Sequence, residues 1–464
     1  MLPEPHDFHQ MQGPGWQTAR GACPSLATPM ETGDGWLARL PPLVAPLESE
    51  EVITLCEAAE RFGNGLIEVT RRGNLQLRGL AEGAHRGLAD YLTRRLSQYW
   101  LDSGAPAVSL DPLMDVDEAI DAPTRALARR LRGQILTGAP AALAPKCAVV
   151  IDAGGWAGLA GLSGDVHLRL DGARGGWIGV AGDQGSATWL GWMVASKLAS
   201  AVLGLLSEME MLGPAARGRD LLSRVSVYAL CDLLGCRPGA PPLRSGLTQG
   251  PDVAARRQRD VLDIVWPFGQ MPALALLRFT REAQRRGALG FAAAPGRHWR
   301  LVCREHADID AIAGAAREAG MIVSDDDARL TLVACTGAPG CASAFMATHD
   351  AGRALSRRWA SLFDASVSVH LSGCAKGCAS LDVCTFTLVG LEPGVGLVFQ
   401  GNPRGAARLI AGDAAALTAA FEHLAVMLSR QGEVLPLDNA ALDRVGEERV
   451  VALLRAGSGV DTDA

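Results

Sequence analysis

Several things this 464-residue chain lacks narrow what it can do. It has no basic stretch: 44 Lys and Arg face 50 Asp and Glu, the net charge is −6, and the two signs are interspersed. A nucleic-acid partner therefore has no electrostatic support. The first residues, MLPEPHDFHQMQGPGW, contain no apolar core behind basic residues and do not read as a secretion signal, so the expected location is cytoplasmic. No uninterrupted apolar span suits a membrane. The longest apolar stretch, residues 188–212, contains Lys197, Glu208 and Glu210 and reads as a buried amphipathic helix. No G-x-G-x-x-G follows a strand, so no dinucleotide site is visible, and electrons have to come from a separate reductase or small carrier. The compact C-x2-C-x2-C run of bacterial ferredoxins is absent. Eleven cysteines in a chain of this length do not make a disulfide scaffold. In a reducing cytoplasm such thiols are free to bind iron.

Four of those cysteines stand out. Cys335 and Cys341 lie in VACTGAPGCASAF, and Cys374 and Cys378 lie in LSGCAKGCASL. Five residues separate the first pair, thirty-two lie between the pairs, and three separate the second. Gly337, Pro339, Gly340, Gly373, Ala375 and Gly377 surround them. A cubane 4Fe–4S cluster needs four thiolates on loops whose backbone approaches closely. Glycines there let N–H groups point at the sulfides and stabilise their charge. Zinc is the competing reading, but its paired cysteines usually sit two to four residues apart.

The pattern of elements repeats. Residues 35–42 read as a strand, 49–62 as a helix with acidic residues in its first turn, GLIEVT and LQLRGL as a hairpin joined by RRGN, and 82–98 as a helix. Further on, 262–269 read as a strand, 273–287 as a helix, ALGFAAAP and WRLVCR as a hairpin, and 305–320 as a helix. This predicts an α+β fold with a duplicated ferredoxin-like half-domain, at 20–100 and 252–325. A larger α+β segment follows each half, at 101–240 and 326–455. Each contains a β-branched strand running into a glycine turn, KCAVVIDAGGW and SVSVHLSGCAKGC, and only the second carries cysteines. The Pro/Gly-rich stretch 235–251 is the expected linker. RLTLVAC, a helix over 342–358 and SVSVHL form a strand–helix–strand unit, which puts both cysteine pairs at the same end of neighbouring strands.

These residues resemble the sulfite and nitrite reductases that hold sirohaem beside a 4Fe–4S cluster. The C-x5-C and C-x3-C pairs are similar to that family's cluster ligands, and the resemblance, with its pseudo-two-fold, extends over about residues 20–455. It implies that Cys335, Cys341, Cys374 and Cys378 ligate the cluster, with Cys378 as the bridge to a sirohaem iron. TRRGNLQLRG resembles the family's T-x-R-Q-x-x-Q segment, with Arg72 and Gln76 on its Arg and last Gln and Gly73 in place of the intervening Gln. LAPKCAV resembles L-P-R-K-F-K, with Lys146 on the first Lys and Ala148 in place of the second. About half of the anion-binding cations are thus missing, which is hard to reconcile with reducing sulfite or nitrite.

Residues 20–40, RGACPSLATPMETGDGWLARL, resemble another branch, the precorrin-3B synthases of aerobic cobalamin synthesis. That resemblance implies a cavity holding precorrin-3A instead of sirohaem. It further implies a monooxygenase that uses dioxygen and reducing equivalents, hydroxylates the macrocycle at C20 and closes the ring-A acetate onto C1 as a lactone. The cluster is then an electron relay. A mononuclear non-haem iron is also implied, but no spacing singles out ligands among His167, His298, His349 and His370, each of which reads as an ordinary surface or core histidine. The alternatives are a sirohaem-dependent sulfite or nitrite reductase and a non-catalytic, tetrapyrrole-binding cluster protein.

A polycarboxylate substrate needs cations. Arg72 and Arg297 occupy related hairpin turns, so a pseudo-two-fold can aim both at one cavity, and bidentate guanidinium contacts suit carboxylates. Arg78 lies on the strand after the first turn, Lys146 precedes an apolar strand, and Lys376 sits between the distal cysteines. With Gln76 they form the expected substrate-binding set, set against solvated hairpins and a snorkelling lysine as the plain readings. Cys23 reads as a buried or loop thiol, Cys231 and Cys236 as helix packing, and Cys384 as a strand core residue.

Overall fold

The computed structural model describes residues 24–96, 106–155, 158–242 and 261–459. Cys23 and most of the expected linker, 243–251, lie outside the described residues. The chain divides into two compact units: of the described residues, one holds 24–30 and 36–323, the other 31–35 and 324–459.

The described residues open with a hairpin, β1 (Met30–Thr32) and β2 (Gly35–Arg39), whose residues 31–35 belong to the smaller unit; α1 (Ser49–Phe62), β3 (Leu66–Val69), β4 (Leu75–Leu80) and α2 (Ala84–Thr93) follow in the larger. Helix α1 starts at a capping box, in which Glu48 and Glu51 each satisfy the other's backbone N–H. Glu50 and Glu51 also complement the helix dipole. Val52, Ile53, Leu55, Cys56, Ala58 and Ala59 form its buried face. β4 pairs on both sides, setting Gln76 level with Arg39 on β2 and with Glu68 on β3.

Next come β5 (Ala107–Ser109), α3 (Ala122–Gly138), β6 (Ala148–Asp152), β7 (Val166–Leu170), β8 (Gly175–Val180), β9 (Thr188–Val194), α4 (Ala195–Leu212), α5 (Gly218–Arg224) and α6 (Val227–Leu234). Their sheet runs β5-β6-β7-β8-β9, parallel as far as β7 and antiparallel thereafter. Here the sequence reading needs a correction: 188–212 is not one helix. Residues 188–194, TWLGWMV, are rich in β-branched and aromatic side chains and pair with β8. The helical period holds only from Ala195, where Leu198, Val202, Leu205, Leu206 and Met209 are buried.

The second half-domain comprises β10 (Val261–Val265), β11 (Gln270–Pro272), α7 (Ala273–Arg285), β12 (Ala288–Ala294), β13 (His298–Cys303) and α8 (Ile309–Glu318). β13 lies between β10 and β12. The two halves exchange edges. β11 pairs with β3 of the first half, Gln270 level with Glu68. Leu47, just before α1, exchanges both backbone bonds with Phe291 of β12 at 2.7 and 2.8 Å. One core results, in which Val52, Leu55, Ile67 and Leu77 meet Trp266, Phe279, Phe291 and Trp299.

The other unit contains β14 (Leu332–Ala334), α9 (Thr348–Leu362), β15 (Val369–Ser372), β16 (Cys384–Gly390), β17 (Val395–Gly401), β18 (Leu409–Ala411), α10 (Ala414–Arg430), α11 (Asn439–Val445) and α12 (Glu447–Gly457). Its sheet, β14-β15-β16-β17-β18, repeats the order of directions of β5 to β9. An aromatic cluster anchors it, with Trp359 and Phe363 centroids 4.4 Å apart and Phe386 and Phe421 4.9 Å apart. No described helix is long and apolar enough to cross a membrane.

Candidate functional site

β14 and β15 are parallel, with Ala334 level with Leu371, and α9 connects them. Both strands therefore end on the same side, and Cys335 and Cys374 leave them there. Backbone bonds fix the loops: Cys335 N–H donates to Leu371 O at 3.1 Å and Cys341 N–H to Gly337 O at 2.8 Å. Gly373 N–H donates to Cys335 Sγ at 3.1 Å. Hydroxyls hold the neighbouring carbonyls, Thr348 Oγ1 donating to Cys335 O at 2.5 Å and Ser372 Oγ to Cys374 O at 2.7 Å. Lys376 Nζ donates to Ser343 Oγ at 2.8 Å, tying the second cysteine loop to the first.

Burial pushes the Cys374 thiol up. The Lys376 N–H beside it acts the other way, and the Cys378, Cys341 and Cys335 thiols push it up further. Cys374 is buried, Cys335 and Cys341 are half-buried, and Cys378 is exposed. Among the described residues no three His, Cys, Asp or Glu side chains close around a single ion. A cubane, with one thiolate on each of four irons, takes ligands that stand farther apart, and the donor set fits it. Sequence reasoning missed Gly33. A Cβ there would stand 2.3 Å from Pro339 O and 2.9 Å from Ala342 N, so the hairpin tip rests directly on the Cys341 loop. Ser343, Thr348 and Ser372 were missed too, because a loop hydroxyl carries no signal until its carbonyl partner is known.

The expected substrate-binding residues of the hairpins lie in the larger unit. Their two turns touch, Gly296 N–H donating to Arg71 O at 2.9 Å, which brings the turn of Arg72 against that of Arg297. Arg72 Nη1 donates to Ser163 O at 2.6 Å. Arg297 has φ of 70°, and its side chain lies along Gly269. Gly73 is closed to any side chain: φ is 78°, and a Cβ would stand 2.7 Å from the Ala294 carbonyl carbon. Gln76 and Arg78 are buried around Glu68. Gln76 accepts from Arg39 Nε at 2.7 Å and donates to Glu68 Oε2 at 2.8 Å, and Arg78 Nη1 is 3.4 Å from the same oxygen. Lys146 is exposed just before β6, and Ala148 is buried at its start.

Residues 28–94 match the nitrite/sulfite reductase ferredoxin-like half domain. A precorrin-3B synthase from Sinorhizobium sp. is 35% identical over 446 residues, 94% of this chain and 95% of that protein. The chain belongs to the precorrin-3B synthase family. The solved structure of the NirA protein of Mycobacterium tuberculosis superposes with a TM-score of 0.66 at 15% identity, over 90% of this chain and 84% of that one. The fold of this precorrin-3B synthase family member is thus the duplicated α+β architecture of the sulfite and nitrite reductases.

The remaining residues have defined places in it. His167 on β7 is buried with Nε2 2.8 Å from Gly182 O, and burial lowers its pKa. His349 on α9 and His370 on β15 are buried in the other unit. His298 Nδ1 lies 2.8 Å from Asp263. None of these histidines belongs to a metal-type cluster among the described residues. The Cys231 and Cys236 thiols both point at Leu190 O, and burial together with Cys236 pushes Cys231 up to about 11. Cys384 starts β16 and is buried.

Proposed function

We propose that the protein carries out the reaction of its family as an oxygen-dependent monooxygenase. It converts precorrin-3A to the C20-hydroxylated γ-lactone, with one atom of dioxygen entering the macrocycle and the other leaving as water. Cys335, Cys341, Cys374 and Cys378 hold a 4Fe–4S cluster, which when bound supplies one-electron transfer. The reducing equivalents originate from NAD(P)H and reach the protein through an external reductase or carrier. Arg72 and Arg297 bind substrate carboxylates from adjoining turns, and Lys146 contributes further positive charge; Lys376, between the distal cysteines, offsets thiolate charge at the cluster. Gln76 and Arg78, engaged by Glu68, hold the first hairpin rigid behind Arg72. No ligand set for a mononuclear iron is assigned.

The observation that carries this choice over anion reduction is Gly73. The reductases it resembles place a polar side chain there, and here the second hairpin occupies that space. Ala148, buried where a second lysine is expected, supports the same choice. A pocket lacking those groups is poorly equipped to bind and protonate a small anion but remains suited to a macrocycle edged with carboxylates. The test is turnover. Purified protein given precorrin-3A, a reductant and dioxygen should yield the hydroxylactone; sulfite or nitrite consumption without that product would overturn the reading.

A further inference from the structure

The second hairpin carries a buried polar group that the proposal above leaves without a task. Alternation along β13 turns Trp299 and Leu301 into the shared apolar core and sets His298 and Arg300 on the opposite face. Asp263 on β10, level with Arg300, occupies that same face with no exposed surface. One of its oxygens lies 2.8 Å from His298 Nδ1, and the other accepts from Arg300 Nε at 3.1 Å. A carboxylate so placed fixes the ring's orientation: Nδ1–H donates to Asp263, and Nε2 becomes the outward nitrogen.

That outward edge borders Gly296, where a Cβ would stand 2.9 Å from His298 Cδ2 and 3.2 Å from Nε2. Glycine leaves the edge uncovered, and 10% of the His298 side chain stays exposed although its neighbours are packed. Arg297 stands between Gly296 and His298 in the same turn, and Gly296 N–H is bonded to Arg71 O. The first hairpin's arginine turn therefore adjoins the imidazole's open side. Burying Asp263 with Arg300 gains little stability over apolar packing. The arrangement instead holds one imidazole edge in place.

We propose that His298 contacts the substrate, with Asp263 as its positioning residue: held between two carboxylates with a proton on each ring nitrogen, His298 donates from Nδ1 to Asp263 and from Nε2 to a carboxylate of the tetrapyrrole at the meeting point of the two hairpin turns. This rests on the tetrapyrrole reading given above. Diethylpyrocarbonate acylates an accessible imidazole nitrogen. It should modify His298 in the intact protein, and bound uroporphyrin III, an octacarboxylate tetrapyrrole, should protect it, as read by peptide mass spectrometry. This arm uses the unaltered chain, so a variant that fails to fold does not decide the matter. In steady state, His298→Gln should raise KM for precorrin-3A about tenfold or more, the loss expected for a hydrogen bond to a charged group, with kcat little changed. Asp263→Asn should raise KM in the same direction although His298 is still present. An unreactive His298, equal reaction with and without bound uroporphyrin III, or an unchanged KM in His298→Gln overturns the proposal and leaves the family reading in place. A protein that neither quenches uroporphyrin III fluorescence nor turns over precorrin-3A overturns both.

Discussion

At Asp263 a single carboxylate with no exposed surface serves both His298 and Arg300, the latter only 2% exposed. Removing one member of a buried charged set strands the others, which costs about 3–5 kcal/mol. Asp263→Ala should therefore lower the unfolding free energy by about 3 kcal/mol or more in urea titrations, and Asp263→Asn by less. An equal loss in both variants would show that volume matters there and charge does not. His167 gives a pH signature. Burial lowers its pKa from 6.5, so the unfolded chain takes up a proton that the folded chain refuses. Its contribution to stability is complete above pH 6.5 and is lost as pH falls toward the lowered folded value. Tm should decline on acidification through that window, and less so in His167→Gln; parallel curves would contradict the assignment. Neither role was legible in the sequence. A lone acid in LDIVWP announces a strand, but whether it faces water or Arg300 depends on pairing 37 residues away.

Among the elements, hairpin tips do the most exacting work. Gly33 lies against the backbone that carries Cys341, and no flexible side chain is available to yield. Gly33→Ala should keep the far-ultraviolet circular dichroism of the fold yet lose much of the bound iron. Full iron content in that variant would contradict the packing. Gly73→Gln restores the residue of the resembling reductases at a position with φ of 78° pressed on Ala294. It should destabilise the protein by about 1–3 kcal/mol in thermal unfolding, without conferring sulfite reduction. The sequence displayed these hairpins clearly because alternating segments flank RRGN and GRH. It hid the edge exchange, since Gln270–Pro272 is a three-residue strand with a proline, too short to show an alternating period. It also hid β9, whose apolar residues run without a break into those of α4. A continuous apolar run gives no period by which to place that boundary.

For the whole molecule, duplication is the organising fact. Two sheets share one order of directions, and two half-domains share one core by lending each other an edge. Equivalent strand ends meet different fates: β15 runs through Gly373 into Cys374, whereas β6 runs from Asp152 into Gly154 and Gly155. The repeat was readable in the sequence, and so was the placement of Cys335 and Cys374 after neighbouring parallel strands, because strand and helix patterns survive without knowledge of partners. The buried pairing of Arg78 with Glu68 was not, since hairpin arginines look alike whether solvated or paired. The central claim is that this chain keeps the reductases' cluster while a tetrapyrrole substrate takes the place of their haem. Iron, labile sulfide and acid–acetone-extractable pigment measured on anaerobically purified protein test it most directly. The account predicts iron and sulfide for one cubane per chain, lost on Cys374→Ser, and no sirohaem. Stoichiometric sirohaem, or cluster content unchanged by Cys374→Ser, would contradict it.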